Sequence, residues 1–270
     1  MQHNSGFQLQ GNAPERYEQY IAPMMKPFID TALDAVDLSP GTHVLDLACG
    51  TGFVARAAAA LAGPTGHVAA ADINEAMLKL AAARAPRLYP DIEFTQAPAD
   101  ALPYEDASFD AVICNQGAQF FPDLDAAVAE TARVLRPGGR LALTVWAAPD
   151  RSPYFAAQHE VIKEYGSPQD TETFTAAFSC DTDRLTQALT RAGLDDITVR
   201  QITREVRTPP LTEWIPGQMT SVPWTQSITT AGPDTLTRAA NALNDRLADY
   251  REPDGTAGIP FTALLATATR

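Results

Sequence analysis

Asp46 and Asp72 are the two carboxylates of this chain that stand where side chains do chemistry. Asp46 lies in Val44-Leu45-Asp46-Leu47-Ala48-Cys49-Gly50-Thr51-Gly52-Phe53-Val54-Ala55, an apolar strand that runs into a glycine turn; the alanine-rich run Ala55 to Ala62 then continues as a helix. Gly50 and Gly52 remove side chains where a ligand must approach backbone N–H groups, and the helix starting near Phe53 adds the partial positive charge of its first turn. Asp72 follows the turn by the ~20 residues at which a carboxylate takes hold of a ribose. The glycines alone fit a dinucleotide fingerprint and leave an NAD-dependent oxidoreductase open. Asp46 points elsewhere, because its charge repels a pyrophosphate and suits a ligand that carries ammonium and sulfonium groups and a ribose but no phosphate.

Other reactive side chains are few. Of the histidines, His3 falls in the polar N-terminal stretch, His43 begins the first strand and His67 follows a turn. His159 falls on the substrate side, after the fifth strand, and is the candidate general base, with a helical surface or packing histidine as the plainer reading. Cys49, Cys114 and Cys180 are too few and too scattered for a disulfide framework or a zinc site, and small buried thiols are expected at Cys49 and Cys114. No spacing of His, Cys and carboxylates suggests a metal site, so none is expected.

The elements that must position these groups alternate. Strands are expected at 43–48, 67–71, 92–96, 109–114, 140–146, 194–202 and 259–269, with helices at 53–62, 75–84 (capped by Asn74), 123–135, 154–165, 181–192 and 236–250. Regular strand and helix alternation up to Trp146 argues for a parallel sheet with right-handed crossovers. Residues 12–38 have helical spacing interrupted by Pro23 and Pro27, and the pattern loosens again over 147–180 and 205–250; these three stretches are expected to form a cap over the ligand edge. They hold Tyr154, Phe174, Trp214 and Trp224, candidates for contact with an apolar acceptor, and the 205–250 segment is expected to be helical and mobile without ligand.

With 270 residues and 45% apolar content the chain suffices for one Rossmann-type domain, taken as 1–270, with a helical addition. Thirty-three acidic against 20 basic residues give a formal charge of −13, which disfavours nucleic acid, and the scarcity of clustered Lys and Arg disfavours a heavily phosphorylated acceptor. No secretory signal or membrane span is evident, so the expected location is cytoplasmic, as a monomer or homodimer.

Four features in register then carry a resemblance: Val44 to Gly52, the acidic strand end at Asp72, Ala101-Leu102-Pro103 followed by Ser108-Phe109-Asp110, and Arg133-Val134-Leu135-Arg136-Pro137-Gly138-Gly139. Together they resemble the class I S-adenosylmethionine-dependent methyltransferases, in the small-molecule branch that includes the ubiquinone and menaquinone biosynthesis enzymes. The resemblance covers roughly residues 12–203 and the final strand. It implies an α/β, doubly wound, Rossmann-like sheet of seven strands, six parallel and the last antiparallel between the fifth and sixth, with a helical cap.

It also implies S-adenosylmethionine as cofactor and a small-molecule acceptor. Asp46 then orients the methionine ammonium; Ala48, Gly50, Thr51 and Gly52 let backbone approach the methionine and ribose; and Asp72 accepts the ribose hydroxyls. Ile73 and Met77 flank the adenine, with Ala99 N–H and Asp100 as its polar contacts. Asn115 and Gln116 lie near the methionine and the transferred methyl, with Gln119, Phe120 and Phe121 following. Tyr17 and Tyr20 are either packing residues or hydrogen bond the methionine carboxylate. Two positions depart from the family pattern: Ala48 where a first glycine is frequent, and Pro98 where an aspartate commonly accepts the adenine amino group. A fold that kept cofactor binding without turnover is the remaining alternative.

Overall fold

The computed structural model describes residues 13–86 and 90–270; His3 and Asn12, the first residue of the expected 12–38 cap segment, lie outside the described residues. Among the described residues, the strands β1 (His43–Leu47), β2 (His67–Asp72), β3 (Ile92–Gln96), β4 (Phe109–Asn115), β5 (Leu135–Trp146), β6 (Asp195–Thr208) and β7 (Ala257–Thr269) form one sheet, ordered β3-β2-β1-β4-β5-β7-β6. The pairs β1–β2, β1–β4, β2–β3 and β4–β5 are parallel, and β7 runs antiparallel between β5 and β6. Six strands therefore point one way and the last is reversed, as the resemblance implied.

The helices are α1 (Ala13–Tyr20), α2 (Ala22–Val36), α3 (Phe53–Ala62), α4 (Glu75–Arg84), α5 (Leu124–Val134), α6 (Pro153–Tyr165), α7 (Pro168–Ala176), α8 (Thr182–Arg191), α9 (Leu211–Met219), α10 (Gln226–Thr230) and α11 (Pro233–Arg246). Their starts are written in local chemistry. The Asn74 side chain accepts from Ala76 N–H (3.0 Å) and Met77 N–H (3.2 Å), and Asp123 and Asp181 cap α5 and α8 in the same way. The β1, β2 and β4 residues Val44, Leu45, Val68, Ala69, Val112 and Ile113 are buried to 0% exposure, because helices cover both faces of the sheet. One face packs on α2, α3, α6 and the cap helices, and the other on α5 and α8.

The structure departs from the expected elements in several places, among them the last helix, expected at 236–250, which spans Pro233–Arg246. The 12–38 segment is two helices, parted at Ile21 just ahead of Pro23, while Pro27 stays inside α2 at the loss of one ladder N–H. Helix α7 was not expected, although Ser167 and Asp170 form a reciprocal capping box over it (3.1 and 3.3 Å). Residues 205–208 belong to β6 and not to the cap; α9, α10 and α11 make the rest of that segment helical. Strand β5 already starts at Leu135, with Arg136–Gly139 bulged out of register with β4, because the end of β7 holds the bulge: Gly138 N–H donates to Arg270 O (2.6 Å), and Arg270 N–H to Gly139 O (3.0 Å).

The order β3-β2-β1 reverses direction at β4, so the crevice beyond the carboxyl ends of β1 and β4 is the place this topology leaves open for a ligand. Helix α1 and the segments around α6 and α9 close over it. Arg16 Nε donates to Thr220 O (3.2 Å), Trp214 Nε1 donates to Tyr20 O (2.9 Å), and the Tyr20 ring lies against Gly217, where a Cβ would come within 2.4 Å of it. From below, Glu18 of α1 pairs with Arg56 of α3 (3.2 Å). No described helix is long and apolar enough to cross a membrane.

Candidate active site

The turn after β1 is held by its own backbone: Cys49 N–H reaches Ala71 O (3.0 Å), and Gly52 N–H closes on Cys49 O (2.8 Å). Asp72, at the end of β2, accepts Gly50 N–H on Oδ2 (2.7 Å) and Asn74 N–H on Oδ1 (2.8 Å), fastening the turn to the start of α4. Asp46 accepts Ala55 N–H (2.8 Å) in the first turn of α3 and is 1% exposed. Burial pushes the Asp46 carboxyl up to about 7 against the pull of that N–H, and the nearby Asp72 charge adds to the rise. Burial also raises Asp72, opposed by the N–H groups of Asn74, Gly50 and Ile73. Two desolvated carboxylates on one cavity favour positive charge and hydroxyl donors, and a cationic, ribose-bearing cofactor fits them.

These groups open on one cavity of about 410 Å³. Asp46, Ala48, Gly50, Thr51, Asp72, Ile73, Met77, Ala99, Asp100, Asn115 and Gln116 line it, so eleven of the expected cofactor residues come together. The other end is walled by Met24, Met25 and Ile29 of α2, Trp146 at the end of β5, Phe155 of α6, and Gln218, Val222 and Trp224. Phe120 and Phe121, half-buried, and Gln119 lie between the two ends.

Other expected residues stand elsewhere. Gly52 does not line the cavity; its φ of +80° starts α3, and a Cβ there would lie 3.2 Å from Ala81 Cβ of α4, so this glycine serves the turn and close helix packing. Tyr20 packs on Gly217, and Tyr17, one turn earlier, takes the place at the cavity wall. Burial raises the Tyr17 phenol, with the Asp72 charge adding to it. Of the aromatic acceptor candidates only Trp224 lines the cavity. Tyr154 and Phe174 are buried to 0% exposure and Trp214 to 3%, behind the wall. Tyr154 donates to Gln218 Oε1, Phe174 packs edge-on against Trp224 (5.9 Å), and Trp214 clasps Tyr20 O.

His159 lies outside, beside Pro149, Asp150 and Arg246, with its ring stacked on Phe174 at 5.0 Å. Its imidazole is lowered by burial and by Lys163 nearby, and α6 turns it away from the cavity. Sequence reasoning missed Trp146, Phe155, Gln218 and the paired methionines as wall residues; Trp146, the last residue of the fifth strand, was the readable sign, since carboxyl ends of strands face the crevice. Cys49, Cys114 and Cys180 are free and buried, and burial pushes the Cys114 thiol up to about 12.

The departure at Ala48 has a structural partner. Ala48 has φ of +57°, a conformation that costs a non-glycine residue about 1 kcal/mol, and its Cβ occupies the room that residue 117 leaves by being glycine. A Cβ on Gly117 would lie 2.5 Å from Ala48 Cβ and 3.1 Å from Cys114 Sγ. Gly117→Ala should therefore lower stability by about 1–3 kcal/mol, and adding Ala48→Gly should restore most of it. Thermal melts of the two single variants and the double variant check this; strictly additive shifts would mean the two residues do not interlock.

A family described as a methyltransferase domain matches residues 45–143, from β1 into β5. The ubiquinone/menaquinone biosynthesis C-methyltransferase UbiE of Shewanella halifaxensis is 32% identical over 184 residues, covering 63% of this chain and 73% of that protein. Among solved structures, the YcgJ protein of Bacillus subtilis superposes with a TM-score of 0.57 at 19% identity, covering 92% of this chain and 97% of the other. Phosphoethanolamine N-methyltransferase 2 of Haemonchus contortus, solved in complex with S-adenosyl-L-methionine, gives a TM-score of 0.60 at 17% identity over 95% of this chain and 56% of its own.

Proposed function

The chain belongs to the class I S-adenosylmethionine-dependent methyltransferases, and from that premise we propose that it methylates a small, apolar or aromatic organic acceptor by in-line displacement. When bound, S-adenosylmethionine supplies a methyl group on a positively charged sulfur. The residues of the chain bind and orient. Asp72 would accept the ribose hydroxyls, Asp46 would pair with the ammonium, and the backbone from Ala48 to Thr51 would allow close approach. Ile73, Met77, Ala99 and Asp100 would hold the adenine, and Asn115 and Gln116 the methionine. Holding the acceptor close, aligned and dry supplies much of the acceleration that an in-line displacement needs.

The acceptor class rests on one observation, the composition of the far wall. Met24, Met25, Ile29, Trp146, Phe155 and Trp224 form it, and no Lys, Arg or His is among the described residues that line the cavity. The C-methyltransferase named among the relatives supports an aromatic acceptor. His159 stands outside, and no histidine is among the described lining residues, so no side chain is assigned as a dedicated base.

The test is a screen of quinone precursors, phenols, polyketides and isoprenoids with isotopically labelled methyl donor. Label should enter at least one phenolic or quinol compound; label entering only charged, hydrophilic acceptors would reject the class. A pair of variants then separates wall from scaffold. Trp224→Phe should raise the acceptor KM about threefold to tenfold, because it removes cavity surface, and should lower the melting temperature by a few degrees, because Gln158 Oε1 loses its donor. Trp214→Phe, which loses the bond from α9 to α1, should also lower the melting temperature by a few degrees but leave KM nearly unchanged, so KM separates the two. A reversed pattern would place the acceptor against Trp214.

A further inference from the structure

Gln116 and Gln119 are 6% and 9% exposed, both line the cavity, and they hold each other through Gln119 Nε2 to Gln116 Oε1 at 3.3 Å. Their remaining atoms, Gln116 Nε2 and Gln119 Oε1, are buried with no partner among the described residues. Reversing both amides exchanges the atoms but still leaves one N–H2 and one C=O unmet, so the pair offers one donor and one acceptor in either orientation. The site is built: Gln116 has φ of +58°, and its N–H is fixed by Thr144 O (2.9 Å) and Thr144 Oγ1 (3.2 Å) at the end of β5. That junction of β4 and β5 lies between the carboxylate end of the cavity and the aromatic end.

A second amide faces the same space from the cap. Trp224 Nε1, which can only donate, gives its proton to Gln158 Oε1 (3.2 Å). Gln158 Nε2 must then donate to Gln218 Oε1 (2.9 Å), which also accepts from Tyr154 OH. Gln218 is thereby oriented, and its N–H2 is the edge left for the cavity it lines.

We infer that Gln116 and Gln119 are specificity-determining residues for the acceptor, reading a neutral hydroxyl group on an otherwise apolar or aromatic molecule, with Gln218 as a further donor. A hydroxyl both donates and accepts, which matches the two unmet atoms of the pair; an oxygen-free hydrocarbon leaves both buried amides unsatisfied. A carboxylate or phosphate on the acceptor would press on Gln119 Oε1 and on a wall that already carries Asp46 and Asp72. This inference rests on the proposed apolar or aromatic acceptor and names the group by which that acceptor is recognised.

Calorimetric titration of the protein saturated with S-adenosylhomocysteine, using 2-naphthol, 2-methylnaphthalene and 2-naphthoate as probes, tests it without turnover. 2-Naphthol should bind at least about tenfold more tightly than either of the others. In Gln119→Leu its advantage over 2-methylnaphthalene should fall below about threefold, with the affinity for S-adenosylhomocysteine unchanged. Gln119→Met, which keeps the length and flexibility of the side chain, should behave likewise if Gln119→Leu folds poorly. Equal binding of 2-naphthol and 2-methylnaphthalene, or tightest binding of 2-naphthoate, overturns the inference while leaving the aromatic acceptor standing. So does a Gln119→Leu protein that keeps the preference but loses S-adenosylhomocysteine, since the amides would then serve the cofactor. Binding of none of the three overturns the aromatic reading, and this inference with it.

Discussion

Asp46→Asn should weaken S-adenosylhomocysteine binding roughly 10- to 100-fold at about pH 7.5, and much less at about pH 5.5. The pH dependence follows from the raised carboxyl, which titrates at about 7 in the unliganded protein because burial disfavours its charge. The ligand's ammonium requires the charged form. Below about pH 7 binding must therefore expel a proton, and the wild-type affinity should fall towards tenfold per unit as pH drops. The same group sets a stability trend of opposite sense: an acid whose folded value exceeds its unfolded value favours the fold most when protonated, so the unliganded protein should lose stability as pH rises from about 4 to about 7. The difference between wild type and Asp46→Asn isolates that contribution, up to about 4 kcal/mol by linkage. Calorimetry across pH and paired melts measure both; a wild-type affinity flat from pH 5.5 to about 7.5 would remove Asp46 from contact with the ammonium.

Asp72→Asn should cost about tenfold to 100-fold in affinity through a different part of the ligand, at every pH where Asp72 is ionised. The charged acceptor is lost for the ribose hydroxyls, and the carboxylate that fastens Gly50 N–H and Asn74 N–H is replaced by an amide with one acceptor oxygen. Adenosine, which keeps the ribose and lacks the methionine, separates the two aspartates. Its binding should suffer from Asp72→Asn and survive Asp46→Asn. Equal adenosine affinity in wild type and Asp72→Asn would show that the ribose is held elsewhere.

Features with local causes were legible in the sequence. The glycine turn, the Asn74 cap, the alternating strands and the reversed final strand all follow from short-range chemistry or from a resemblance carried by contiguous motifs. The most specific of those motifs, Arg133 to Gly139, turns out to serve the scaffold: Arg133 bonds Glu130, Asp106 and the carbonyls of Leu102 and Tyr104, and Arg136 bonds Asp110 (2.6 Å). It marks the family without touching the cavity. The acceptor wall was not legible in the same way. Tyr154, Phe174 and Trp214 stood out only as aromatic residues of the cap stretches, which cannot say whether they fill core or cavity; that depends on how α6, α7 and α9 meet, through contacts between residues as distant as Tyr154 and Gln218. Gln218 carries no motif and became visible only once its partners Tyr154 and Gln158 were in place. The gap at Gly117 likewise explains Ala48 only through space.

The distribution of charge around the cavity gives the binding step a direction. Asp46, Asp72, Asp100 and Asp123 line it, and among the described lining residues no cation offsets them. A negative enclosure of this kind holds a sulfonium more strongly than the neutral thioether that remains after the methyl has gone. The field that gathers the charged donor therefore relaxes its grip on the spent product, so that the walls themselves favour exchange of used cofactor for fresh.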